Sequence, residues 1–210
     1  MKRRKPTSPS LSVAGETRPD AFPVQRVSRT GKTYYLVQRI SKTGRPAYTF
    51  TTSAQGQPAA VIPEGYEVYE NAEAQVFLRK KVTLLVSDAE MALIADALRA
   101  QGPAWRYWVE ARKDTVTIHE AGGDMESLSD MCRTFRSRGL TDDERRRHAS
   151  YMAVLRFTLV DPETREYVTE RYCFRGSVDD WIHIGGPGPL APQCRKFIPH
   201  LGRESFYDLI

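Results

Sequence analysis

Tyr151-Met-Ala-Val-Leu-Arg-Phe-Thr-Leu-Val160, Asp161-Pro-Glu-Thr164 and Glu166-Tyr-Val-Thr-Glu-Arg-Tyr-Cys-Phe174 decide the fold. Two aromatic and β-branched runs flank a turn built on Asp and Pro, which is the signature of an antiparallel hairpin. Side chains alternate across a strand. With Leu155, Phe157 and Leu159 turned toward a core, Arg156 and Thr158 face the other way.

The same pattern appears upstream. Trp105-Arg-Tyr-Trp-Val-Glu-Ala-Arg112 and Thr115-Val-Thr-Ile-His-Glu120 flank Lys113-Asp114, a tight hairpin, with Val116 and Ile118 inward and Thr117 and His119 outward. Each hairpin follows a helical stretch. Ser87 with Glu90 has the spacing of a capping box ahead of Met91, Ile94, Ala95 and Leu98, and Gly102-Pro103 ends that helix. Asp124 is expected to cap a helix from Met125 to about Arg138, followed by a charged connector over residues 139–149. Ser177 is expected to cap a short helix over Val178–His183, broken by Gly185-Gly-Pro-Gly-Pro189, and a last helix covers about Ala191 to His200.

Residues 33–81 read as a separate small β-meander of about four strands, its clearest part the hairpin of Thr33–Ile40 and Pro46–Thr52 around Gly44. A sheet this small needs a surface or ligand over its apolar face. The expected fold is α+β: a small N-terminal antiparallel β-meander, then a helix-plus-hairpin domain over residues 82–210 with a mostly antiparallel sheet covered by helices.

Charge is concentrated at the N-terminus. Residues 1–32 hold eight basic and two acidic residues, a surplus of six in a chain whose total is +5, so the rest of the chain is close to neutral. The segment is rich in Pro, Ser, Thr and Arg and is expected to form a disordered basic arm. Met1-Lys-Arg-Arg-Lys-Pro is not followed by an apolar run, so export is not expected, and a cytoplasmic protein is. Cys132, Cys173 and Cys194 are odd in number and form no CxxC pair, which argues against disulfides and a zinc knuckle.

The chemical motifs are weak. Gly31-Lys-Thr33 lacks the earlier glycine of a phosphate loop, where Arg26 stands. His119, His148, His183 and His200 are far apart and have no ligand at helical spacing. Glu110-Ala-Arg112 has no matching strand carboxylate for a nuclease-type metal site. No Gly-x-Ser-x-Gly occurs. No cofactor or metal is expected, and no membrane segment.

Three functional readings follow. The first is a non-enzymatic binding or adaptor domain, acting on a protein partner or on its own copy. The second is a nucleic-acid-associated protein, with phosphate contacts from Lys2, Arg3, Arg4, Lys5, Arg29, Lys32, Arg39, Lys42 and Arg45 and base stacking on Tyr34, Tyr35 and Tyr48. The third is an enzyme with a dispersed site on the outer sheet face, using His119, Arg156 and Glu170. That face is expected to be covered by the 33–81 module, a second subunit or a ligand.

Ile62-Pro-Glu-Gly-Tyr-Glu-Val-Tyr-Glu-Asn-Ala-Glu-Ala-Gln-Val-Phe-Leu-Arg79 resembles the signature of a family of uncharacterised bacterial proteins. The likeness extends to Arg112–Thr115, Tyr172–Ile182 and His200–Leu209. The resemblance implies a bacterial, cytosolic domain and carries over no activity and no site.

Overall fold

The computed structural model describes residues 22–123, 125–136, 138–175 and 178–209. The expected contacts of Lys2, Arg3, Arg4 and Lys5, and the expected caps Asp124 and Ser177, lie outside the described residues.

The fold is α+β. Its N-terminal part joins β1 (Gln25–Val27), β2 (Thr33–Ile40), β3 (Pro46–Thr51) and β4 (Gln57–Pro58) into one small sheet. A separate ribbon pairs β5 (Tyr66–Glu70) with β6 (Val76–Lys80). The expected single meander is therefore a sheet and a ribbon. Tyr34, Leu36, Phe50, Ala59 and Val76 form the core between them. The order also begins earlier than the composition implied. Phe22 is fully buried against Tyr35, and β1 adds to β2 inside the segment read as arm. One large ring and three strand residues tie down that stretch despite its polar surroundings.

The second part opens with α1 (Asp88–Gln101), capped by Ser87 and Glu90 in the expected reciprocal way. Then come β7 (Tyr107–Arg112), β8 (Thr115–Gly122), α2 (Met125–Arg136), α3 (Asp142–His148), β9 (Ser150–Asp161), β10 (Glu166–Arg175), β11 (Val178–Pro189) and α4 (Leu190–Phe197). The sheet has five strands in the order β11-β10-β9-β8-β7, all antiparallel. Two sequence expectations are corrected here. The charged connector contains α3, nucleated by a Thr141–Glu144 capping box that the run of arginines obscures. The expected helix over 178–183 is the start of β11, because pairing with β10 and the apolar alternation of Ile182 and Ile184 outweigh the local capping signal.

Ile94 and Leu98 of α1 and Leu190, Cys194 and Phe197 of α4 cover the inner face, packing on Val116, Ile118, Leu155, Phe157, Leu159 and Tyr167. Burial pushes the Cys194 thiol up to about 12, so it acts as a small apolar residue.

Glu90 also ties α1 to the β9–β10 turn, accepting from Arg165 Nε at 3.0 Å. Burial alone would raise this carboxyl. Hydrogen bonds from Arg165 and Ser87 outweigh burial and bring its pKa from 4.5 to about 2. A depressed native pKa stabilises the fold above about pH 4.5, and that contribution is lost as pH falls toward 2. Urea midpoints measured across this range are expected to fall less steeply with acid in Glu90→Gln than in the wild type.

Candidate interaction face on the larger sheet

The outer face of the five-stranded sheet divides into two halves. Trp108 on β7 and Tyr151 on β9 form the first, their rings 6.1 Å apart. Arg29 from the N-terminal part lies over both, with its guanidinium 4.9 Å from the Trp108 ring and 5.1 Å from that of Tyr151. The Arg29 side chain is only 10% exposed. It pairs with Glu70 at 3.1 Å and donates to the carbonyls of Asn71 and Ala72. Ala72 completes the cover. Nearby, Arg79 on β6 reaches Glu110 on β7 at 3.7 Å. The N-terminal module is thus what covers this half.

His119 sits in the same half. Its Nδ1 lies 3.3 Å from the Trp108 carbonyl, and it lines a groove of about 380 Å³ with Glu110, Asp114 and Thr117. Burial lowers its pKa, against the opposing pull of the Trp108 carbonyl, Glu110 and Glu73. It is therefore neutral at neutral pH.

The second half spans β9, β10 and β11. Arg156 stands opposite Glu170, which stands opposite His183. Arg156 donates twice to Glu170, from Nη2 at 2.9 Å and from Nε. Glu170 is 8% exposed, and His183 Nε2 lies 3.6 Å from it. The Arg156 guanidinium also lies 4.4 Å over the Trp181 ring. Tyr172 meets Trp181 and Phe174 edge-on, at 5.1 Å and 5.3 Å. The Tyr172 hydroxyl donates to Asp179 at 2.7 Å. Phe174 is 75% exposed.

The outer-face residues expected from sequence are therefore partly joined. Arg156 and Glu170 form one pair. Among the described residues, no hydrogen bond or ion pair links His119 to either. Tyr172, Phe174 and Trp181 were not singled out from the sequence. Their signal was there in part: Glu170, Tyr172 and Phe174 alternate along β10 on one face. Trp181 was hidden by the helical reading of its strand.

The described residues expected to contact nucleic acid differ in exposure. Arg29 is buried in its ion pair, and Tyr34 is 9% exposed within the core of the small sheet. Tyr35 and Tyr48 are half-buried, and Tyr35 packs on Phe22. Lys32, Arg39, Lys42 and Arg45 are exposed. Tyr34→Ala is accordingly expected to lower unfolding stability by about 3 kcal/mol in urea titrations, as for other large core rings.

Among the described residues, no group of three or more His, Cys, Asp or Glu is placed to hold a metal ion, and no helix is long and apolar enough to cross a membrane. No protein-family model, curated protein or solved structure matches the chain.

Proposed function

We propose that this protein is a binding or adaptor module that contacts other proteins through the β9–β11 half of its outer sheet face. The observation that carries this reading is the contiguous Tyr172, Phe174 and Trp181 cluster, left open beside a half of the same face that the N-terminal module covers. An exposed ring, Phe174, beside two half-buried ones and a fixed arginine is the composition of an interface centre, because rigid rings bury much area at little entropic cost. Arg156 is paired with Glu170 and Asp179 is exposed beside the rings, so this cluster offers a phosphate backbone little free positive charge, which favours a protein segment.

The test uses a protein captured by the full chain. Phe174→Ser is expected to weaken its binding at least tenfold, a typical loss for a ring at an interface centre. Phe135→Ser removes an 82% exposed ring on α2 and is expected to leave binding unchanged. Equal losses in the two variants, or none in Phe174→Ser, would refute the reading.

Phosphate binding is the alternative, and the exposure of Arg39, Lys42 and Arg45 around the β2–β3 turn favours it. A chain lacking residues 1–21 would then bind single strands with a log–log salt slope near −2, since each phosphate contact contributes roughly −0.7. Salt-independent retention would exclude this alternative.

A further inference from the structure

The edge of the larger sheet points to what completes it. β11 is the terminal strand, and among the described residues, 178–184 make no backbone-to-backbone hydrogen bond outside the β10 ladder; the Trp181 amide donates to the side chain of its neighbour Asp180 at 2.7 Å, a local bond that an added strand would replace. An unpaired edge of this length is a template for another strand. Pro187 and Pro189 cannot donate, so they limit such pairing to the first part of β11.

We propose that the occupant is a second copy of this chain, with β11 pairing antiparallel to β11 about a twofold axis at Trp181. The inference rests on the reading of this half of the sheet as a protein-contact surface. The side chains select the register. With Trp181 on the axis, the two Trp181 rings meet, and His183 stands opposite Asp179 of the second copy, twice by symmetry. Each such row continues into its own molecule, because Glu170 flanks His183 and Phe174 flanks Asp179. A histidine between two carboxylates on one side and an aspartate beside an aromatic ring on the other is thus self-complementary across the axis. Moving the axis to Ile182 sets Asp179 against Gly185 and loses both pairs. The paired segment, 178–184, ends before Pro187. The result is a ten-stranded sheet in which the two aromatic clusters merge into one wider face. A seven-residue edge contact is smaller than a standard interface, so the dimer is expected in the micromolar range.

Sedimentation equilibrium of the full chain tests this directly. The wild type is expected to show a concentration-dependent dimer. His183→Asp places like charges opposite each other at both sites and is expected to weaken the dimer about tenfold, on the scale of two cross-strand charge pairs. Asp179→Lys combined with His183→Asp sets opposite charges across the axis and is expected to restore the dimer. Both positions are exposed, and because Asp179 accepts the Tyr172 hydroxyl and His183 stands opposite Glu170 within the molecule, circular dichroism and urea unfolding of each variant are used to establish that the fold is kept. A wild type that stays monomeric across the micromolar range overturns the proposal, as does a charge-swapped double variant no tighter than His183→Asp alone. The outcome is separable from the reading of the face, because loss of partner binding in Phe174→Ser is scored on another protein and does not depend on the dimer.

Discussion

Arg29→Ala is expected to lower unfolding stability by about 3–5 kcal/mol, the scale on which removing one partner of a buried ion pair acts. Three sets of contacts disappear together. The first is the 3.1 Å pair with Glu70, itself partly buried. The second is the donation to the carbonyls of Asn71, which keeps its bond from the Ala74 amide, and of Ala72. The third is the stacking over Trp108 and Tyr151 that seals the covered half of the sheet. Arg29→Lys is expected to recover only a fraction, because an ammonium cannot reproduce a planar fork that stacks on rings while donating to three oxygens. Urea unfolding of the three proteins, followed by tryptophan fluorescence, reads both effects. A loss below about 1 kcal/mol in Arg29→Ala would mean that the module is held by its apolar contacts alone.

The second large effect is expected at Gly185. Its neighbours are the Phe197 ring of α4 and Thr169 of β10. An added Cβ would lie 2.7 Å from Phe197 Cε2 and 3.1 Å from Thr169 Cβ. Real Cβ atoms do not approach so closely, and both neighbours are fully buried, so β11 or α4 must move. Gly185→Ala is expected to cost about 3 kcal/mol, the upper range for overpacking. Phe197→Leu makes room, at a cost of its own. The double variant should therefore be more stable than the sum of the two single losses predicts, by about 1 kcal/mol. Strict additivity would place the strain elsewhere. This contact explains why a glycine-rich segment belongs in a strand at this point. Gly185 lets α4 lie close against β10 and β11, and Gln193 of α4 then donates to the carbonyls of Tyr167 and Gly188.

How much of this was legible in the sequence follows from which signals are local. The two hairpins and α1 could be read because alternation, a tight turn and a capping box lie within a few residues of one another. β11 could not, because its strand character comes from β10 and from Phe197, and its own Asp179-Asp180 pair imitates a helix start. Arg29 was legible as a cation and not as a buried one. Its partners Glu70 and Trp108 are 41 and 79 positions away, and no local pattern announces them. The outer-face residues fared in between. Strand parity identified Arg156 and Glu170 as facing the same way, and register then made them a pair. Parity also placed His119 on that face, while register set it opposite Trp108 and Ala153 and left Thr117 opposite Arg156.

The reading of the face is tested most directly by a photoreactive residue placed at Phe174 in the full chain, with the same residue at Phe135 as the control. The account predicts covalent adducts to protein at position 174, to a partner or to a second copy, that position 135 does not give. No adduct at 174, or the same adducts from both positions, would contradict it.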